Sequence, residues 1–343
     1  MINIMLDSKR MKVVIGNICC FLVIFTVIYQ GQKYDIIDGI PEEIADNIDV
    51  EINENVREMS EFKSAIRNQA GPLSQEYQRK LCELDRPSIQ KLKAYNTTVK
   101  RTFNTKKVVD YVNNFFHEFV QNPHRSYCKE MKRFGGGYNS ACKFTDGSKF
   151  VCMDELLLDI ENGECLIYSF GVAEDWTFED IMDELGCEVY AFDGSVDFPE
   201  RRGQNIHFEK VWVSFEDVNK PNQPIEKSLP TLLAKYGHTK RKISYLKMDI
   251  EGNERRGLPH WLHDGALDNV QQIGLEFHLD NDIVRTNSFI QALRYLYLKG
   301  HYRLISYEAN GCAKNTETNI ERNPYFNLAE IVLKKVTDND ICI

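Results

Sequence analysis

Acids and an imidazole stand in apolar surroundings at two places in this sequence. In Leu246-Lys247-Met248-Asp249-Ile250-Glu251-Gly252-Asn253-Glu254, Asp249 and Glu251 follow a short apolar run; in Ile273-Gly274-Leu275-Glu276-Phe277-His278-Leu279, Glu276 and His278 stand two apart. On a strand, that spacing puts both side chains on one face. Carboxylates beside an imidazole are the parts of general acid–base catalysis, in which the ring takes a proton from a hydroxyl or amine while a carboxylate orients it. Asp249, Glu251, Glu276 and His278 are therefore the candidate catalytic residues, Asp249 and His278 foremost. A lone histidine on a strand is more often structural; acids at neighbouring strand tips bring the functional reading level with that one.

A second constellation lies upstream. The apolar run Leu166–Phe170 leads into Gly171 and then a helical pattern, and about 22 residues after Gly171 the next apolar run ends in Asp193. In doubly wound sheets the first strand-to-helix turn binds a nucleoside, and an acid at the tip of the neighbouring strand receives the ribose hydroxyls. The turn Phe170-Gly171-Val172-Ala173-Glu174-Asp175 has one glycine and not G-x-G-x-x-G. That argues against a pyrophosphate, hence against NAD or FAD. S-adenosylmethionine, which carries no phosphate, fits better. Phe170, Gly171, Val172, Ala173, Glu174 and Asp193 are the candidate cofactor contacts, with Glu174 or Asp175 placed to receive an ammonium group.

The elements that must position these residues begin at Cys165. Apolar strands are expected at 166–170, 188–193, 206–214, 243–250, 272–279, 302–309 and 327–334, with helices near Trp176–Leu185 and Ser288–Lys299. Strands separated by helices predict a parallel sheet with covered faces, and the last two, joined without a helix, predict an antiparallel edge. The fold class is α/β, a Rossmann-like seven-stranded sheet of the methyltransferase kind. Upstream, Val108, Val112, Phe115, Phe116 and Phe119 form one face of a helix between Thr105 and Pro123. The segment Phe134-Gly135-Gly136-Gly137-Tyr138 invites a phosphate-loop reading, but no strand is expected before it and no Lys-Ser/Thr pair ends it, so it reads as a turn.

Taken in order and spacing, YSFGVAEDWTFED, GCEVYAFD, LKMDIEGNE and IGLEFHL resemble the methyltransferase-like 24 family and, more distantly, the FkbM-type methyltransferase domain. The resemblance covers roughly residues 125 to 336. It implies an S-adenosylmethionine-dependent methyltransferase fold on a single-pass membrane protein. Relatives carry a second glycine where this chain has Ala173, a proline where it has Gly194, and a small residue where it has Asn253.

The N-terminus carries a membrane signal. Val13 to Tyr29 holds no charge and follows Lys9, Arg10 and Lys12; at about 1.5 Å per residue it spans roughly 25 Å, suited to thin membranes of the early secretory pathway. No small-x-small cleavage site follows it, so a signal-anchor is expected over a cleaved signal peptide. The preceding cations put residues 1–12 in the cytosol and the remainder in the lumen of the endoplasmic reticulum or Golgi, a type II layout. Residues 30–104 read as a stem and 105–338 as the lumenal domain. Between Glu42 and Glu61 the stem has eight acids against Arg57. Its stripe of Ile44, Ile48, Ile52, Val56, Met59, Phe62 and Ile66 would lie against the domain or form a homodimer.

Eight cysteines beyond the span suggest disulfides in an oxidising compartment. Cys165 and Cys187 stand just before two strands expected to be parallel neighbours, within bridging reach, the alternative being two separate buried thiols. Asn96-Thr97-Thr98 is a glycosylation sequon if lumenal. No C-x-x-C pair occurs, and no metal site is read from the sequence. Lys and Arg number 42 against 51 Asp and Glu, a net charge of −9, the wrong sign for a nucleic-acid partner. The type II layout with Asp280-Asn281-Asp282 also fits a glycosyltransferase using Asp280 and Asp282 on a metal and nucleotide-sugar, a reading that leaves Gly171 and Asp193 unexplained. A non-catalytic lumenal binding module is the third reading. The acceptor substrate is not written in the sequence.

Overall fold

The computed structural model describes residues 3–5, 12–14, 76–77, 80–81, 90, 112, 114–139, 144–221, 224–278, 283–310 and 328–336. Two compact units divide the chain, Met1–Ala65 and Ile66–Ile343. In the first, Asn3–Met5 pairs antiparallel with Lys12–Val14. Val13 and Val14, which open the expected membrane span, belong to that ladder; residues 15–29, the apolar stripe of the stem, the sequon and Asp280-Asn281-Asp282 lie outside the described residues. Among the described residues no helix is long and apolar enough to cross a membrane.

The second unit holds four short strands not expected from the sequence: β1 (Met131–Phe134), β2 (Gly137–Asn139), β3 (Phe144–Asp146) and β4 (Lys149–Cys152). β1 pairs with β4 and β2 with β3, both antiparallel. A strand therefore does precede the glycine segment. The expected turn shrinks to Gly135-Gly136, the link between β1 and β2, and the Gly136 N–H donates to Thr177 Oγ1 at 2.7 Å. Ahead of β1, Val112, Phe115, Phe116 and Phe119 are buried as their spacing predicts, although the helix winds as a π-turn over Phe116–Val120.

After helix α1 (Met153–Glu161), strand β5 (Leu166–Phe170) enters the main sheet, followed by α2 (Thr177–Glu184) and β6 (Glu188–Phe192). The expected strand 206–214 breaks in two. Burial falls on Ile206 and Phe208, then on Val211 and Val213, so the alternation slips by one residue. β7 (Arg201–Arg202) and β8 (Ile206–Glu209) stay in the main sheet, while β9 (Trp212–Val213) pairs with β10 (Glu226–Lys227). The remaining elements are α3 (Leu229–Lys235), β11 (Tyr245–Met248), α4 (Glu254–His263), β12 (Gln272–His278), α5 (Ile283–Lys299), β13 (Tyr302–Ala309) and β14 (Leu328–Lys335).

Strand order in the sheet is β13-β14-β12-β11-β5-β6-β8-β7. The centre, from β12 to β8, is parallel, and β5 is buried at every position, as a strand covered on both faces must be. The last two strands are antiparallel as expected, but β14 inserts between β12 and β13. The β1/β4 pair covers one face. Tyr245 Oη donates to the Phe150 carbonyl at 2.7 Å, and the Gln272 amide pairs with both backbone groups of Cys152 at 2.8 and 2.9 Å. Cys165 and Cys187 are bridged, with Cα atoms 4.7 Å apart, and a second disulfide joins Cys128 to Cys152.

Candidate active site

The turn after β5 is shaped by Gly171, whose φ is +75°. A Cβ there would lie 1.7 Å from the carbonyl oxygen of Asp249. Only glycine lets the tips of β5 and β11 come so close, and the approach is held by Asp249 N–H to Phe170 O at 2.9 Å and Gly171 N–H to Phe192 O at 3.0 Å. Asp193 is turned into this turn. Its Oδ2 accepts the Ala173 N–H at 2.8 Å, and its Oδ1 accepts Ser195 N–H at 2.7 Å and Oγ–H at 2.6 Å. Three donors leave the carboxylate one acceptor position and a rotatable hydroxyl to exchange. Phe170 and Val172 are buried beneath the turn; Ala173 and Glu174 are exposed on it. Asp175 Oδ1 accepts both the N–H and the hydroxyl of Thr177. Asp175 is thereby tied to the first residue of α2, which leaves Glu174 as the exposed carboxylate of the turn.

One strand over, the acids collect. Lys247 Nζ bridges Glu179 Oε1 at 3.0 Å and the Gly171 carbonyl at 3.2 Å, with Ser169 Oγ donating to the same Glu179 oxygen. Next to this pair, buried Lys149 reaches Glu330 Oε1 at 2.6 Å and Asp249 Oδ2 at 3.9 Å. Glu330 lies directly opposite Glu276 in the β12/β14 register, and Asn310 Nδ2 donates to Glu276 Oε1 at 2.6 Å. His278 Nε2 stands 3.9 Å from Asp249 Oδ1 and 3.4 Å from Glu251 Oε2. Asp249, Glu276 and His278 thus meet, while Glu251, 82% exposed, sits at the rim with a positive φ.

The electrostatics follow from burial. Desolvation, reinforced by the charges of Asp249 and Glu330 and opposed by Lys149, pushes the Glu276 carboxyl up to about 9. It carries a proton at neutral pH. Burial also raises Glu330 and Glu254. Lys149 moves the other way from a simple buried lysine: desolvation lowers it, but Glu330, Asp249 and Glu276 together hold it above its ordinary value.

A nucleoside-type turn and an acid–imidazole cluster joined at one backbone contact invite comparison with known proteins. A family profile described as a methyltransferase domain matches residues 80–320. This chain belongs to the methyltransferase-domain family. The chain is also 32% identical over 140 residues to the human "Probable methyltransferase-like protein 24" and 31% identical over 144 residues to its rat counterpart. The first match spans 37% of the human protein and 38% of this chain. A SAM-dependent methyltransferase from Anabaena variabilis aligns with 68% of this chain and 96% of its own, at 9% identity and a TM-score of 0.29, too loose to add to the assignment.

Within this methyltransferase domain, several residues lay outside the sequence reading. Lys149 and Glu330 are 181 positions apart and meet where the β1/β4 pair packs on the sheet. A charged residue inside the apolar run Leu328-Ala329-Glu330-Ile331-Val332-Leu333 was the available signal for Glu330. Trp212 is another: its indole packs on Gly194, where a Cβ would lie 2.3 Å from the ring, and the side chain is 43% exposed. That puts an open aromatic surface directly beside Asp193.

Proposed function

We propose that this domain transfers a methyl group from S-adenosylmethionine to a hydroxyl or amine of an acceptor, and that it does so on the lumenal side of a secretory-pathway membrane. The observation that carries the reading is the contact between Gly171 and Asp249, which sets a phosphate-free nucleoside turn against an acid–imidazole cluster. Asp193 and Ser195 would hold the ribose, Trp212 would offer its face to the adenine, and Glu174 would receive the ammonium. The bound cofactor supplies an electrophilic methyl group. The chain supplies what an acceptor needs: Asp249 and His278 take up its proton, protonated Glu276 donates a hydrogen bond to Asp249 and holds it in place, and Glu251 closes the rim. A proton acceptor within hydrogen-bond reach of the nucleophile is the minimum such a reaction requires.

The lumenal placement is supported by the two disulfides of the domain, which persist in oxidising compartments, and by the uncharged run 13–29 behind three cations. Calorimetric titration tests the reading. S-adenosylmethionine should bind the full chain, and Asp193→Ala should weaken it at least tenfold, about 1.5 kcal/mol, the scale of a charged hydrogen bond. Equal binding to both proteins, or to neither, refutes the site.

A further inference from the structure

Three carboxyl groups and an imidazole crowd the mouth of the sheet around Lys149. Among the described residues, Asp249, Glu276 and Glu330 gather around Lys149, while Lys247 is hydrogen-bonded to Glu179 and the Gly171 carbonyl. One ligand-capable atom each from Asp249, Glu276 and His278 lie within 4.8 Å of one another. We infer that Asp249, Glu276 and His278 form a binding site for a divalent, oxygen-preferring cation of the Mn2+ or Mg2+ class, at the sheet mouth beside the Gly171 turn.

A second observation points to a missing ligand. Glu330 Oε2 is buried with no hydrogen-bond partner, on a side chain only 9% exposed. Glu330 belongs to the same cluster: Lys149 Nζ lies 2.6 Å from Glu330 Oε1 and 3.9 Å from Asp249 Oδ2, and Glu330 stands opposite Glu276 across the ladder. His278 Nδ1 is likewise buried and unpartnered. Orphaned acceptors of this kind cost free energy unless something fills the gap. Two carboxylates and one imidazole, with no thiolate among them, suit a hard or borderline cation more than a soft one.

The three donors come from adjacent strand tips, Asp249 just past β11 and the other two from β12. Three protein donors leave coordination positions for water and for an oxygen of the acceptor. An ion there would make His278 a ligand, and it would polarise an acceptor hydroxyl in place of a free base. That last role rests on the methyl-transfer reading, whereas the site itself stands on the geometry.

Mn2+ is the probe, followed by electron paramagnetic resonance and calorimetry on the full chain, with folding monitored by circular dichroism. One ion should bind per chain. Asp249→Asn and His278→Gln should each weaken it at least tenfold, whereas Glu308→Gln, on the exposed Arg133 pair, should leave it unchanged. Should Asp249→Asn fail to fold, the isosteric Glu276→Gln and the wild-type stoichiometry decide the matter. No saturable Mn2+ binding by the folded wild-type chain overturns the site, as does binding that all three ligand variants retain. A site that takes Zn2+ and ignores Mn2+ and Mg2+ overturns the assigned class. The two readings fail separately: S-adenosylmethionine binding without Mn2+ removes only the cation site, and Mn2+ binding without S-adenosylmethionine removes only methyl transfer.

Discussion

Replacing Lys149 by methionine isolates the charge balance beneath the site. The ammonium is buried to 1% exposure and lies 2.6 Å from Glu330 Oε1. Methionine keeps most of the side-chain volume, so packing against the sheet survives and the charge alone is lost. Glu330 then faces Asp249 and Glu276 with no cation between them. Removing one partner of a buried pair costs about 3–5 kcal/mol, since the remaining charge keeps its desolvation penalty. Adding Glu330→Gln removes the stranded charge, and the double variant should recover at least about 2 kcal/mol, a coupling expected only of residues in direct contact. Urea unfolding under oxidising conditions, followed by fluorescence of fully buried Trp261, reads both values. A loss below about 1 kcal/mol for Lys149→Met, or a double variant no more stable than the single one, would falsify the view that Lys149 is what makes this cluster tolerable.

Gly171→Ala forces a Cβ into the Asp249 carbonyl at a positive φ; it should abolish S-adenosylmethionine binding and lower stability by about 1–3 kcal/mol, the range for overpacking, as calorimetry and denaturation will show. Replacing Cys165 and Cys187 by alanine opens a loop with a sequence separation of 22 and should cost on the order of 3 kcal/mol; an unchanged urea midpoint argues against the bridge. His238 accounts for one acid-sensitive step. Its ring contacts Tyr168 Oη at 2.9 Å and Arg241 Nη1 at 3.0 Å, and burial, with the Arg241 charge, lowers its pKa. The unfolded chain therefore takes up a proton below about pH 6.5 that the folded chain refuses, so stability falls as pH drops from 7 to 5. His238→Gln should flatten that slope in pH-dependent unfolding.

Strand-to-helix alternation and the spacing from Gly171 to Asp193 were legible in the sequence by itself, because each depends on local periodicity and on one neighbour relationship in a parallel sheet. The Cys165–Cys187 bridge follows from the same relationship: two strands that pair in register bring the residues before them together. Asp249, Glu276 and His278 were also readable, since strand tips at one sheet edge must converge.

Tertiary structure alone decided the rest. Insertion of β14 between β12 and β13 sets Glu330 opposite Glu276, and no local pattern distinguishes that order from a plain hairpin. The β1/β4 cover carries Lys149 to Glu330, 181 residues away, and its four-residue strands are too short for alternation to register. The one-residue slip between Phe208 and Val211 sends Trp212 off the main sheet to lie beside Asp193. Whether a carboxylate is ionised, capped or orphaned depends on what is packed over it, and that information resides in contacts between distant segments.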